Sequence, residues 1–129
     1  MKKRILVVDN DTVTLTLIQA MLASEGFDVV TATSGLMANK YIYDARVPDL
    51  ILLDVMMPFC DGTKKVEFIK EREASREIPV VLISGKPASE LKELAEQSGA
   101  EGYLPKPIKK IALLAEIARH LRHSTSQHR

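Results

Sequence analysis

Short apolar runs alternate with segments of helical periodicity along the chain. Five runs carry almost no polar alternation, as expected for strands that are covered on both faces, and this pattern favours a parallel sheet. The runs are residues 5–8, 29–30, 50–53, 80–83 and 103–104. Each is followed by apolar residues at helical spacing, such as Leu15, Ile18 and Leu22 after the first. The pattern therefore predicts five β-α units.

Residues that begin and end helices stand where this interpretation needs them. Ser34 and Asp61 precede predicted helices as N-caps, and Gly26 and Gly99 follow predicted helices as C-terminal caps. Pro87 is expected at a first helical position. These residues support the first four predicted helices independently of the apolar pattern.

Right-handed crossovers between parallel strands place helices on both faces of the sheet. The predicted fold class is therefore α/β, a flavodoxin-like doubly wound (βα)5 sandwich with a parallel five-stranded sheet in the order 2-1-3-4-5. The length of 129 residues fits one domain. We expect this domain to span residues 1–123 and a polar tail to span residues 124–129.

Composition narrows the class of protein. Apolar residues at 46% and charged residues at 27% are ordinary for a globular chain, and a net charge of +1 predicts no nucleic-acid binding by this domain. No apolar run approaches the roughly 18 residues of a membrane span, and the basic start meets Asp9 before a signal-peptide core can form. The single cysteine, Cys60, agrees with a reducing compartment. We expect a cytoplasmic protein without membrane contact.

Four polar residues follow strands of the predicted sheet, namely Asp9, Asp54, Ser84 and Lys106. Because ligands of such sheets bind outside the carboxyl ends of the strands, we expect these side chains to meet at one edge. Carboxylates suit Mg²⁺, while a lysine and a hydroxyl bind phosphate oxygens. The set predicts a site for phosphoryl transfer, in which an aspartate can itself be the acceptor.

Four sequence motifs in order carry a family resemblance: "ILVVDN", "LILLDVMMPFCDG", "VLISGKP" and "GYLPKPI". From residue 5 to about residue 121 the chain resembles a response-regulator receiver domain of two-component signalling, of the chemotaxis-regulator kind. The resemblance implies a phosphoprotein of a phosphorelay in which Asp54 is the phosphoacceptor. It implies that Mg²⁺ is held by Asp9, Asn10, Asp54 and the backbone carbonyl of Met56.

The resemblance also assigns roles around the phosphoryl group. Ser84 is the switch hydroxyl, Lys106 pairs with the phosphate, and Tyr103 is the aromatic switch residue. Gly85 matches the small residue that leaves phosphate access open, and the Lys106–Pro107 peptide bond is expected to be cis, which is uncommon for X-Pro bonds in general.

The implied partners are proteins. A sensor histidine kinase or a phosphotransfer protein donates the phosphoryl group. A downstream protein, or a second copy of the chain, binds the face formed by the fourth helix, the fifth strand of the sheet and the fifth helix. The chain is expected to accept phosphate for signalling and not to be a turnover enzyme.

Three positions depart from the usual pattern. Asn10 stands where a second acid is usual, so the site carries about two carboxylates instead of three, which weakens the attraction for Mg²⁺ but also lowers repulsion between acids. Met56 offers no polar side chain to orient water, and Lys86 adds positive charge near the phosphate. We hypothesise a long-lived phosphorylated state.

Two alternatives remain open from the sequence. "DNDTV" fits the opening motif of haloacid-dehalogenase phosphatases, with Asp9 as nucleophile and Asp11 as general acid, although Asp11 is also placed to cap the first helix. That interpretation lacks the acidic metal-binding pair expected after the lysine, since Glu116 is the only acid beyond Lys106. Asn10 instead allows a pseudo-receiver, a binding module that is not phosphorylated.

Overall fold

The computed structural model describes residues 2–57 and 60–127, with side chains described through Leu121 apart from Cys60. The strands are β1 (Arg4–Val8), β2 (Asp28–Ala32), β3 (Leu50–Asp54), β4 (Met56–Met57), β5 (Cys60–Asp61), β6 (Val80–Ser84) and β7 (Gly102–Pro105). The helices are α1 (Thr12–Ala23), α2 (Gly35–Ile42), α3 (Gly62–Glu71), α4 (Ala88–Ser98) and α5 (Lys110–Gln127).

Five of these strands form one parallel sheet in the order β2-β1-β3-β6-β7. Numbered by their own succession, this is the predicted order 2-1-3-4-5, so the predicted fold class is confirmed. Strands β4 and β5 form a separate antiparallel pair in the connection between β3 and α3. The sequence analysis did not predict this pair, because strands of two residues are too short to have a recognisable period.

Two apolar layers lie on opposite faces of the sheet. One layer packs α2, α3 and α4 against the sheet through residues such as Ile42, Ile69 and Leu91. The other packs α1 and α5 through residues such as Ile18 and Leu113. Strands β3 and β6 are buried along their whole length, which explains why their sequences show no polar alternation.

The predicted helix boundaries are largely confirmed. Ser34 accepts a hydrogen bond from the Met37 amide at 3.0 Å, and Gly99 ends α4 in the left-handed region with φ of 92°. Gly26 also has a positive φ, in the turn after α1. The prediction that Pro87 is the first helical residue is wrong by one position, because α4 begins at Ala88 and the proline occupies the preceding cap position. Its fixed φ suits either position.

Ion pairs hold the amino ends of several strands. Arg4 Nε lies 3.0 Å from Asp28 Oδ2 and joins β1 to β2. Lys70 Nζ lies 2.8 Å from Glu101 Oε2, and the other oxygen of Glu101 accepts a hydrogen bond from the Val80 amide at 2.8 Å. The contacts of Glu101 hold the starts of β6 and β7 together, so we interpret them as stabilising the fold.

Helix α5 continues to Gln127, and residues 128 and 129 lie outside the described residues. The predicted boundary between domain and tail, after residue 123, stays a prediction. Within the described part of the chain, no helix combines the length and apolar character that crossing a membrane requires.

Candidate functional site

The register of the central strands brings the first two candidate residues side by side. Val8 in β1 is paired with Leu53 in β3, so Asp9 and Asp54 are the next residues on adjacent parallel strands. Both carboxylates are buried, Asp9 completely. The Asp9 amide donates to the Ala32 carbonyl at 3.0 Å, which holds the residue at the end of the sheet. The predicted convergence of these two acids is observed.

Lys106 extends from the loop after β7 to both acids. Its Nζ lies 2.8 Å from Asp9 Oδ2 and 3.7 Å from Asp54 Oδ1. Its backbone amide donates to the Ser84 carbonyl at 2.7 Å, so the lysine is tied to the end of β6. The following peptide bond, Lys106–Pro107, is cis, as the resemblance implied. One cation is thus shared between two buried carboxylates.

The pKa values of Asp54 and Lys106 reflect this arrangement. Burial and the negative charge of Asp9 raise the pKa of Asp54 to about 6, against the opposing effects of Lys106 and the Met56 amide, which donates to the carboxylate. Burial lowers the pKa of Lys106, but the contacts with Asp9 and Asp54 outweigh it, so the net change is upward. The lysine therefore stays charged, while Asp54 takes up a proton more easily than an ordinary aspartate does.

The two oxygens of Asp9 have different surroundings. Oδ1 accepts a hydrogen bond from the Asp11 amide at 2.9 Å, which orients the carboxylate. Oδ2 is buried and lies 2.8 Å from the Lys106 ammonium, and among the described residues no other donor contacts it. A carboxylate oxygen can accept from two donors, so the position that Lys106 does not occupy suits a ligand.

The donor set around the Asp9 oxygen fits a hard cation. Asp9 and Asp54 offer carboxylate oxygens, Asn10 is exposed at the start of the adjacent loop, and Met56 is anchored by its amide at Asp54. All are oxygen donors, the type that Mg²⁺ prefers. The described residues contain no group of three His, Cys, Asp or Glu side chains that could hold a metal, so the other ligands of a cation here would be amide or backbone oxygens or water.

Ser84 is buried at the end of β6, one strand away from Asp54. Its Oγ accepts a hydrogen bond from the Lys86 amide at 3.1 Å, which leaves the hydroxyl hydrogen free to be donated elsewhere. The Lys86 ammonium lies 3.0 Å from Glu90 in the first turn of α4. A Cβ built on Gly85 meets no atom within 4 Å, so the space beside Ser84 is open.

Tyr103 lies apart from the cluster of acids. It is half-buried in β7 and packs against the apolar layer that contains Leu91 and Ala95 of α4. The structure therefore places it on the face formed by α4, β7 and α5, and leaves its role as a switch untested.

Asp11 caps α1. Its carboxylate accepts hydrogen bonds from the Val13 amide at 3.1 Å and from the Thr14 hydroxyl at 2.9 Å. These two contacts, with Thr14 the larger, lower the pKa of Asp11. The carboxylate is thus engaged by the helix, as the capping interpretation expected.

Gly62 is the neighbour of the site that sequence reasoning missed. A Cβ at this position would overlap the carbonyl oxygen of Asp54 and lie 2.7 Å from the Cα of Val55. The available signal was a glycine directly after a helix cap, in the segment that returns from the candidate phosphoacceptor.

A family model described as "Response regulator receiver domain" matches residues 5–118. The chain therefore belongs to the response-regulator receiver family of two-component signalling. The geometry agrees with this membership, because the residues that the four motifs identified lie at the carboxyl end of the sheet.

Solved structures support the same assignment. A CheY-like receiver domain from Methanospirillum hungatei is 26% identical, with a TM-score of 0.87, and the match covers 98% of this chain and 99% of that one. NtrX from Brucella abortus is 32% identical with a TM-score of 0.89, but the match covers 99% of this chain and only 29% of NtrX.

A third structure holds a metal. The receiver domain of sensor histidine kinase PA1611 from Pseudomonas aeruginosa, described with a magnesium ion coordinated in the active-site cleft, is 29% identical with a TM-score of 0.83. The match covers 94% of this chain and 98% of that one.

Proposed function

We propose that this receiver domain accepts a phosphoryl group on Asp54, from a sensor histidine kinase or a phosphotransfer protein. The observation that carries the proposal is the sharing of one cation, Lys106, between two buried carboxylates. Electrostatic positioning of this kind supplies most of the catalysis of phosphoryl transfer. The domain acts in signalling as an acceptor and not as an enzyme with turnover.

The proposed cofactor is Mg²⁺, held by Asp9, Asn10, Asp54 and the Met56 carbonyl. When bound, it neutralises negative charge on the transferring group and on the acids. The orienting hydrogen bond from the Asp11 amide keeps Asp9 in place for this role. The magnesium-containing receiver domain of PA1611 supports the proposal by similarity.

The transfer step forms a bond between a carboxylate oxygen of Asp54 and phosphorus. The phosphohistidine ring carries a proton on its other nitrogen. When the bond between phosphorus and the first nitrogen breaks, the electron pair stays on that nitrogen, so the leaving group is a neutral imidazole with one N–H. Asp54 must be ionised to attack, and a pKa of about 6 keeps it so at neutral pH.

The response is proposed to run from Ser84 and Lys106 to the face formed by α4, β7 and α5. Both residues would bind phosphoryl oxygens, and their backbone hydrogen bond links the ends of β6 and β7. Moving a two-state equilibrium from 1:99 to 99:1 needs roughly 5.5 kcal/mol. Several charge-assisted hydrogen bonds can supply that amount. The face would then bind a downstream protein or a second copy of the chain, with Tyr103 as the switch residue.

The lifetime of the phosphorylated state is a further part of the proposal. The exposed side chain of Met56 gives no polar group to orient an attacking water. The Lys86 amide donates to Ser84, and its ammonium, which carries the positive charge, is paired with Glu90. We expect slow hydrolysis, and a half-life of seconds in buffered Mg²⁺ would contradict this expectation.

The proposal takes residues 1–123 as the receiver domain, residues 124–129 as its tail and the cytoplasm as its compartment. The phosphatase alternative would need Asp11 as a general acid. The contacts of Asp11 with Val13 and Thr14 argue against that use. The pseudo-receiver alternative rests on Asn10 alone.

The test is incubation with acetyl phosphate, with and without Mg²⁺, followed by intact-mass measurement. We expect a mass gain of one phosphoryl group that requires Mg²⁺, and no gain for Asp54→Asn. Lys106→Ala should still be labelled but should lose the change in oligomeric state or partner binding that phosphorylation causes. A beryllofluoride complex provides the matched mimic for that second measurement.

Each outcome separates the candidates. Labelling that persists in Asp54→Asn would refute the site assignment. No labelling of the unaltered chain, under conditions that label an ordinary receiver, would favour the pseudo-receiver. Release of many equivalents of phosphate from a phosphorylated substrate, with Asp54 replaced, would favour the phosphatase.

A further inference from the structure

We infer that Gly62 is a positioning residue for the phosphoacceptor and for the Met56 carbonyl. The reason is that Gly62, at the start of α3, lies directly against the backbone of Asp54. The inference rests on the proposed function. It concerns the backbone around Gly62, a residue that brings no side chain to the site.

The contacts at Gly62 are with backbone atoms. A Cβ there would overlap the Asp54 carbonyl oxygen, lie 2.7 Å from the Cα of Val55 and lie 3.0 Å from the Asp54 carbonyl carbon. The Gly62 amide donates to the Val55 carbonyl at 2.8 Å. Backbone cannot rotate aside as a side chain can, so any larger residue would push α3 and β3 apart.

The displaced segment is the one that holds two groups of the site. Between Val55 and Gly62 the chain forms the antiparallel pair of β4 and β5, in which Met56 is paired with Asp61. The Met56 amide donates to the Asp54 carboxylate, and its carbonyl is the proposed metal ligand. Widening the return at Gly62 therefore moves the Met56 carbonyl and the hydrogen bond to the nucleophile together.

Gly102 provides a matched control in the same chain. A Cβ at Gly102 would also overlap another atom, Glu116 Oε2, and would lie 2.8 Å from His120 Nε2. These atoms are the ends of long side chains on α5, which can move without shifting any backbone. Gly102 begins β7 at the opposite end of the sheet from Asp54. Replacement at Gly102 therefore introduces a similar overlap far from the site.

The experiment compares Gly62→Ala with Gly102→Ala by Mg²⁺ titration, followed by calorimetry or by the amide resonances of the site. The thermal unfolding of both variants is recorded alongside. We expect Gly62→Ala to weaken Mg²⁺ binding by about tenfold or more, the usual range for residues that orient metal ligands. We expect Gly102→Ala to keep the affinity of the unaltered chain, and the Met56 amide resonance to shift in Gly62→Ala alone.

A second variant covers the case in which Gly62→Ala does not fold. One glycine inserted between Asp61 and Gly62 lengthens the return without any overlap, and it should weaken Mg²⁺ binding in the same way. Equal Mg²⁺ affinity in the unaltered chain and in the folded Gly62 or insertion variant would overturn the inference. If the unaltered chain itself neither bound Mg²⁺ nor became phosphorylated, the proposed function would fail instead, so the two failures are distinguishable.

Discussion

The charged groups at the two ends of the sheet differ in how well their charges are balanced by partners. At the amino end, Lys70 contacts Glu101 and the Ile78 carbonyl, and Glu101 also accepts from the Val80 amide. At the carboxyl end, two buried acids share one lysine. One sheet therefore has charges with several partners at its amino end and a pair of acids short of positive charge at its carboxyl end.

The difference separates stabilising charges from functional ones. A charge with all its partners in place contributes to folding and has little left to offer a ligand. A pair of buried acids with a single cation costs folding energy, and a divalent cation or a phosphoryl group changes that balance. The site is therefore recognisable by its excess of negative charge at the carboxyl end of the sheet, because the charges at the amino end are balanced.

The largest predicted effect on stability is a gain from removing the phosphoacceptor. Because the pKa of Asp54 in the folded state is about 6, above its unfolded value of about 3.9, the folded state becomes less stable as pH rises between these values. Asp54→Asn should raise the free energy of unfolding above pH 6 by up to about 3 kcal/mol, at about 1.4 kcal/mol per pKa unit. Urea unfolding without Mg²⁺, at pH values above 6 and below 4, measures this.

The control for this prediction is the pH dependence itself. The gain should vanish below pH 4, where Asp54 is protonated in both states. Addition of Mg²⁺ should stabilise the unaltered chain more than Asp54→Asn, because the variant has lost a ligand. A gain of the same size at both pH values would show that the buried charge is not its cause.

The second prediction concerns the ion pair between Lys70 and Glu101 at the amino end of the sheet. Lys70→Met keeps the apolar stem but removes the ammonium from Glu101 and from the Ile78 carbonyl, so it should lower the free energy of unfolding by about 1–2 kcal/mol. Mg²⁺ affinity and phosphorylation should stay unchanged. Chemical unfolding and a Mg²⁺ titration on the same sample test both parts. A loss of Mg²⁺ affinity equal to the loss of stability would mean that the two ends are coupled.

A smaller effect is expected at Ser84. Ser84→Ala removes the acceptor of the Lys86 amide and should cost about 1 kcal/mol of stability. Labelling of Asp54 should persist, while the response of the face formed by α4, β7 and α5 should weaken. Ser84→Thr keeps the hydroxyl and is the matched control, and hydrogen exchange of β7 with and without beryllofluoride is the measurement. An unchanged response in Ser84→Ala would remove this residue from the switch.

The smallest effect is expected at Asp11, which is exposed. Asp11→Ala should slightly lower the melting temperature through loss of the α1 cap, whereas Asp11→Asn, which can still cap, should lower it less. Phosphorylation of Asp54 should proceed in both variants. Loss of all chemistry in Asp11→Asn would instead revive the general-acid role that the phosphatase alternative requires.

Strand order and the meeting of Asp9, Asp54 and Lys106 could be predicted from sequence. Apolar runs identify buried parallel strands, and the carboxyl ends of such strands share one edge. The resemblance supplied the roles that it implies for individual residues, and those roles are still untested.

Other features depend on tertiary contacts that no pattern records. The raised pKa of Asp54 results from burial and from its distance to Asp9 and Lys106. The unequal surroundings of the two Asp9 oxygens depend on side-chain orientation. The close return at Gly62 depends on how α3 meets β3, and the β4–β5 pair is too short to have a period.

The pairing of Val8 with Leu53 has a consequence for folding errors. In parallel strands a shift of one residue turns every side chain of the shifted strand to the opposite face. Such a shift between β1 and β3 would leave one acid facing an apolar layer and would exchange Ile5 and Leu6 between the two layers. The ion pairs of Lys106 with Asp9 and Asp54 therefore require the observed register of β1 and β3, and a chain with the shifted register would lose them.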